Sequence, residues 1–290
     1  MPPTSDETSR GTLYIVATPI GNLADITFRA VEVLGAVALI AAEDTRLTRR
    51  LLERYGIGTR TVSYHARSGP RRREELLEHL RSAVDLALVT DAGTPIVSDP
   101  GGDLVTAWAS EGGTVVPIPG PSSVLAAVAA TGVTGPRWAF EGFLPRTGRE
   151  RRERLAAIAA DPRGTVLFEA PARAAATLRD LAAVCGDARP GAVARELTKL
   201  HEQVVRGSLR ELASAAADGT IPARGEFVLV VGMGEPSRQT GDAASELAAA
   251  RAAVERLVVE GVARGEAARR VAAQTGLPRR RLYGGAADAD

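Results

Sequence analysis

Along the first 120 positions, apolar residues fall in short runs separated by longer segments of helical period. The runs are TLYIVAT (12–18), VALIAAE (37–43), LALVTD (86–91) and TVVPIP (114–119). A run of this length bounded by turn formers is the pattern of a strand buried on both faces. RREELLEHLRSAV (72–84) and LVTAWASEG (104–112) space their apolar residues as an amphipathic helix does. Strands alternating with helices predict a largely parallel α/β sheet. Near Thr131–Pro136 the chain turns rich in Gly and Pro, and a second round begins. Its strands are TVLFEA (165–170), GAVARE (191–196), QVVRG (203–207) and FVLVVG (227–232), with helices around 150–160, 173–185 and 208–217. The expectation is two α/β lobes, 12–125 and 126–235, after a disordered tail over 1–11. MGEPSRQTGD (233–242) has the composition of a linker, and 245–290 is helical in pattern. There ARRVAAQTGLPRRRLY (268–283) fits a helix-turn-helix: Gly276 in the turn, Ala272 at the tight contact, and Val271, Leu277 and Leu282 facing inward.

Composition excludes more than it suggests. A chain of 290 residues, 45% hydrophobic and 24% charged, has the make-up of a soluble globular protein of about two domains. The formal net charge of +1 excludes a global affinity for polyanions, so nucleic-acid contact would need a local basic face. One such face exists in the sequence. Between Arg251 and Leu282, eight arginines stand against three glutamates, a local net of +5. It is either an RNA-contacting domain or a helical cap with a solvated face. The single cysteine, Cys185, excludes an intrachain disulfide and a multi-thiolate metal site, and its LAAVC setting suits a buried inert thiol. His65, His79 and His201 lack metal-ligand spacing. MPPTSDETSR has no apolar core of a signal peptide, and the apolar stretch 30–42 is interrupted by Glu32 and too short to span a bilayer. A cytoplasmic location without membrane contact is expected. Lys199 is the only lysine among 36 basic residues.

The chemistry gathers behind the strands. TPIGNLADIT (18–27), EDTR (43–46), DAGTPIVSDPGG (91–102) and PGPSSVLAA (119–127) each follow one. Ligands in open α/β sheets bind beyond the carboxyl ends of the strands, and small residues there let backbone groups approach them. Four such loops predict a pocket for a flat, polar small molecule. No GxxxxGK[ST], no GxGxxG after the first strand and no GxSxG is present, which disfavours P-loop, Rossmann and α/β-hydrolase chemistry.

TPIGNLADIT, AAEDTR, DAGTPIVSDPG, PIPGPSS, EGFLPR and RELTK occur in this order over about residues 12–232. The chain therefore resembles the tetrapyrrole methylase family. AEDTR and RELTK are not expected in its porphyrin-methylating members. The resemblance implies two α/β lobes with S-adenosylmethionine in the cleft between them, a homodimer, and methylation of a cytidine 2′-hydroxyl in 16S rRNA of the small ribosomal subunit. It also fits a small C-terminal helical domain that holds RNA, although YGGAADAD (283–290) departs from the apolar finish expected there. Carried onto this sequence, it points to Pro19, Gly93, Thr94, Ile96, Val97, Ser122 and Ser123 as cofactor-binding residues, with Phe168, Ala170, Gly225 and Glu226 from the second lobe.

Methyl transfer from a sulfonium requires alignment, worth roughly 7–11 kcal/mol, and removal of the hydroxyl proton, worth about 10²–10⁴-fold. Two clusters are candidates: Glu43, Asp44 and Arg46 in EDTR, and Glu196 with Lys199 in RELTK. Asp44 also suits a helix N-cap. Lys199 could be a base if burial or Arg195 lowered its pKa, a cation positioning phosphate or hydroxyl, or a structural ion pair. Arg67, Arg71 and Arg72, followed by Arg73, form a solvated face or an RNA track. Arg146, with Arg149, Arg151 and Arg152, and the run Arg279, Arg280, Arg281 would extend such a track. Two other readings stay open: methylation of a tetrapyrrole or a protein side chain, and a ligand-sensing helix-turn-helix DNA-binding regulator.

Overall fold

The computed structural model describes residues 10–234 and 239–283. Of the expectations above, those for residues 1–9, for 235–238 of the linker and for 284–290 lie outside this range. Arg10 and Gly11, expected in the disordered tail, already belong to the fold: Gly11 donates its N–H to the Leu80 carbonyl at 2.8 Å.

The first sheet is built from β1 (Thr12–Val16), β2 (Leu39–Ala42), β3 (Thr61–Ser63), β4 (Leu86–Val89) and β5 (Thr114–Ile118), in the order β3-β2-β4-β1-β5. Every neighbouring pair is parallel. Their connections carry α1 (Phe28–Ala36), α2 (Thr45–Arg54), α3 (Pro70–Arg81) and α4 (Gly102–Ser110). Alternate residues explain the unbroken apolar runs. Leu39, Ala41, Leu86 and Leu88 face α3 and α4, where Leu76, Leu80, Leu104 and Trp108 close one core. Ile40, Ala42, Ala87 and Val89 face α1 and α2, meeting Ala30, Leu34 and Leu52. Each fully buried leucine contributes roughly 1.5–3 kcal/mol. Pro117 is tolerated because β5 is an edge strand.

After α5 (Ser123–Thr131) the second sheet follows: β6 (Trp138–Phe143), β7 (Gly164–Glu169), β8 (Pro190–Arg195), β9 (Gln203–Ser208) and β10 (Phe227–Val231), in the order β6-β7-β10-β8-β9. α6 (Gly148–Ala160), α7 (Ala174–Cys185) and α8 (Leu209–Ala217) cover one face. The other is covered by Val124 and Ala127 of α5 and by Ile20, which packs the loop after β1 against the second sheet. Here the sequence-based expectation of a largely parallel sheet fails. Only β6 and β7 are parallel; β10 runs antiparallel to β7 and β8, and β8 to β9. β8 and β9 form a hairpin, so RELTK lies on a hairpin connection rather than on a strand-to-helix loop.

Residues Gly234–Asp290 form a separate compact unit. It contains α9 (Gln239–Val259), α10 (Arg264–Thr275) and α11 (Arg279–Tyr283). Gly276 ends α10 at φ 72°, the left-handed conformation a helix-terminating glycine supplies. Val254, Ala267, Ala268, Val271 and Leu282 form its core, with Ala272 and Leu277 packed against them. No helix among the described residues is long and apolar enough to cross a membrane.

Candidate active site

Three loops at the carboxyl ends of the first sheet are bound to one another by backbone. Thr18 donates to the Gly93 carbonyl at 2.8 Å and Gly93 returns the bond at 3.0 Å. The Thr18 hydroxyl donates to the Thr90 carbonyl at 3.1 Å, and Thr94 Oγ1 to the Pro121 carbonyl at 3.3 Å. Among the described residues five non-glycines have left-handed φ, and four lie here: Ile96 (77°), Ser98 (67°), Glu196 (51°) and Thr198 (65°). Each such residue costs roughly 1–3 kcal/mol and persists only where its surroundings hold it. Two strained loops facing one cleft mark a built site.

The first cavity, about 390 Å³, opens between the two sheets. Gly93, Thr94, Val97, Ser122 and Ser123 line it from the first side, and Phe168, Ala170, Gly225 and Glu226 from the second. Two of the residues expected to bind the cofactor do not line it. Ile96 turns its side chain toward Gly101 and Gly102, and Pro19 lines the neighbouring cavity. Asp99, Phe143 and Glu169 also line it; Glu169 lies within the Phe168–Ala170 stretch expected there, whereas sequence reasoning missed Asp99 and Phe143 although both sit inside the quoted motifs. The Phe168 ring packs against Phe140 at 5.0 Å and Phe143 at 5.4 Å, giving an aromatic wall. Glu169 fixes that wall from beneath: it accepts from the Thr177 hydroxyl at 2.6 Å and pairs with Arg173 at 3.2 Å. The size suits a nucleoside-sized ligand, with an aromatic face for a base and Ser122, Ser123, Thr94 and carboxylates for a polar end. S-adenosylmethionine fits this donor set. Burial, then the charge of Glu43, pushes the Asp99 carboxyl up to about 6.

The second cavity, about 410 Å³, adjoins the first and shares Ala92 and Glu226 with it. Thr18, Pro19, Gly21, Thr90, Asp91 and Lys199 line it. Lys199 Nζ donates to Glu196 Oε1 at 2.9 Å and lies 3.2 Å from Glu226 Oε2. Its stem lies where a Cβ on Gly21 would project, so only glycine fits there. Glu196 likewise fills the space beside Gly225, and it accepts the Glu226 N–H at 3.0 Å. Burial works to lower the Lys199 pKa, but the hydrogen bond to Glu196 and the charge of Glu226 outweigh it and leave it raised. Arg195, a possible depressing neighbour in the sequence reading, turns to the Arg224 and His201 carbonyls, at 2.8 and 3.1 Å. Lys199 is therefore held as a cation.

Glu43, Asp44 and Arg46 line neither of these two cavities. Asp44 is the N-cap of α2, accepting the Arg46 N–H at 2.8 Å, and its carboxylate pairs with the Arg46 guanidinium at 2.7 Å. That guanidinium holds its carboxyl well down, at about 2. Glu43 accepts from the Asp91 N–H at 3.4 Å, and burial pushes its pKa up. Asp91 accepts the Asp44 N–H at 2.9 Å and is likewise raised, first by burial. Among the described residues no group of three or more His, Cys, Asp or Glu is arranged to hold a metal.

The arginines separate by what holds them. Arg71 and Arg72 both pair with Glu75, and Arg73 reaches Asp103. Arg151 is buried, bound to Asp180 at 2.8 Å and to Thr177 at 3.1 Å, so it supports the fold and is not part of a surface track. Arg67, Arg146, Arg279, Arg280 and Arg281 are exposed, with no ion pair among the described residues. His65 is exposed behind β3 and accepts the Arg67 N–H at 3.1 Å. Cys185 is half-buried, and burial pushes its thiol up.

The family model described as Tetrapyrrole (Corrin/Porphyrin) Methylases matches residues 12–213. The chain is 44% identical over 273 residues to the ribosomal RNA small subunit methyltransferase I of Synechocystis sp., covering 94% of this chain and 96% of that protein. Its identity to the Bacillus subtilis protein of the same name is 40% over 274 residues, with 94% and 93% covered. Among solved structures, cobalt precorrin-4 methyltransferase superposes with a TM-score of 0.59 at 20% identity, covering 76% of this chain and 94% of that one. Uroporphyrin-III C-methyl transferase from Thermus thermophilus, complexed with S-adenyl homocysteine, gives 0.56 at 20% identity, with 77% and 97% covered. At that identity the likeness is one of fold.

Proposed function

The chain belongs to the tetrapyrrole methylase family, and from that membership we propose that it is an S-adenosylmethionine-dependent methyltransferase of small-subunit ribosomal RNA. The observation that carries this reading is the end-to-end likeness to proteins named for that activity, at a cleft where a nucleoside-sized cavity adjoins a second one. The acceptor is the 2′-hydroxyl of a cytidine in 16S rRNA, presented through the second cavity. The protein works in the cytoplasm as a homodimer. Phe28, 91% exposed, gives such a dimer apolar surface to cover.

The cofactor, when bound, supplies a methyl group on a positively charged sulfur. Gly93, Thr94, Val97, Ser122 and Ser123 hold it from the first lobe, and Phe168, Ala170, Gly225 and Glu226 from the second. Lys199, charged and anchored by Glu196, positions an acceptor phosphate or hydroxyl as a point charge. Asp91 faces the acceptor cavity with a raised pKa and is the better placed proton acceptor. Orientation outweighs proton transfer in this chemistry, so most of the barrier reduction rests on the strained loops. Arg67, Arg71, Arg72, Arg146 and the Arg279–Arg281 run contact RNA phosphates.

The test is transfer of tritium from labelled S-adenosylmethionine to small subunits isolated from a strain lacking the gene. Label in 2′-O-methylcytidine after digestion is the expected result. Cofactor binding without incorporation would refute the rRNA reading and return attention to a tetrapyrrole or protein acceptor. Duplex-DNA binding abolished by removing 245–290 would favour the regulator instead.

A further inference from the structure

Of the two residues common to both cavities, Ala92 and Glu226, only Glu226 carries a charge. Its backbone is fixed, because Glu196 N–H donates to the Glu226 carbonyl at 3.0 Å and Glu226 N–H donates to Glu196 Oε1 at 3.0 Å. Its side chain is 69% exposed, whereas the Glu196 side chain is 17% exposed. The two carboxylates on Lys199 are therefore unequal. Glu196 is walled in beside Gly225, and its oxygen serves two donors. Glu226 makes one exposed ion pair, of a kind that water screens strongly, and a competing donor displaces it readily.

We propose that Glu226 is a latch coupling the two cavities: it holds Lys199 while the first cavity is empty and releases it when a ligand bearing hydroxyls or a positive charge enters. This rests on the function proposed above for the identity of the two occupants. With both carboxylates in place the three charges sum to −1, so Lys199 offers no free charge to a phosphate approaching through the second cavity, where Arg50 is the other cation in the lining. With Glu226 turned to the cofactor, Lys199 keeps Glu196 alone and offers an N–H to the acceptor. Cofactor occupancy then raises affinity for RNA, and RNA raises affinity for cofactor by the same factor. Either ligand can arrive first, and each tightens the binding of the other.

The lone lysine makes the test site-specific, because lysine labelled with ¹⁵N at Nζ gives a side-chain signal from Lys199 only. Saturating S-adenosylhomocysteine, with binding followed by calorimetry, is expected to move that signal and lower its titration midpoint. In Glu226→Gln the signal starts near the ligand-bound position and no longer responds. A signal unmoved by bound S-adenosylhomocysteine, or moved equally in Glu226→Gln, overturns the latch. In parallel, S-adenosylhomocysteine is expected to tighten binding of small ribosomal subunits roughly threefold to tenfold in the native chain and less than twofold in the variant. Methyl transfer to subunits without a lysine response sinks the latch alone. A lysine response without transfer sinks the rRNA reading and leaves the latch. Failure of S-adenosylhomocysteine to bind removes both.

Discussion

Lys199 shows how far a single residue can be understood from its neighbours. A sequence biased so strongly to arginine retains one lysine where the space beside Gly21 admits a slender stem and two carboxylates await a compact charge. Because it is held charged, Lys199→Arg should lose about tenfold in kcat/KM rather than all activity, since a planar fork misplaces the donor but keeps the charge. Single-turnover methylation of subunits measures this; near-complete loss would restore the base role. Asp91→Asn should lower kcat by about 10²-fold or more while S-adenosylhomocysteine affinity stays within about twofold. Asp99 carries a prediction in pH. Its carboxyl binds a proton more tightly in the fold, about 6, than at its ordinary value of 3.8, so ionisation costs stability. The cost is absent below about pH 4, grows through the interval up to about pH 6, and stays full above it. Asp99→Asn should therefore raise the Tm by about 2–4 °C at pH 7.5, allowing for solvent screening, and leave it unchanged near pH 3.5. A thermal melt series over pH decides this.

At the scale of elements, the EDTR motif resolves into a cap and a carboxylate pair. Asp44 starts α2, and Asp44→Ala should lower the midpoint of denaturant unfolding with little change in cofactor binding. Arg151 in α6 is the opposite of the surface arginines around it. Removing it takes away the ion pair to Asp180, while Thr177 keeps its bond to Glu169, and Arg151→Ala should cost about 1.5–3 kcal/mol, whereas Arg152→Ala should cost nothing measurable. Four strands of the first sheet were legible because their apolar runs are unbroken, whereas β3, three half-buried residues long, was not. β6 was not, because WAFEGF is a half-buried edge strand with a bulge near Gly142 and shows neither a run nor an alternation. Strand direction in the second sheet was also hidden: the period of side chains is two whether the neighbouring strand is parallel or antiparallel.

For the whole molecule, the two compact units divide the work in the function proposed. Deleting 239–290 should leave S-adenosylhomocysteine affinity within about twofold and weaken subunit binding by roughly tenfold or more. Within that unit Arg264 pairs with Glu255, and Arg269 and Arg270 converge on Glu266, so the local charge of +5 overstates what faces solvent unpaired. Arg279, Arg280 and Arg281 carry no such pair among the described residues, and each replaced by alanine should reduce the slope of log K against log salt by about 0.7–0.9. An unchanged slope would remove them from the RNA surface.

The sequence by itself determined the alternation of strands and helices, the loops that must approach a ligand closely, and the family. These depend on local patterns of burial and backbone freedom, which residues express wherever they end up. Tertiary structure decided what side chains separated in sequence do together. It turned Arg195 toward carbonyls and Arg151 into the core, withdrew Ile96 from the cavity, and set Glu226 across from Lys199, 27 positions away. Charge states follow from such meetings, because burial and neighbouring charge exist only after the chain has folded.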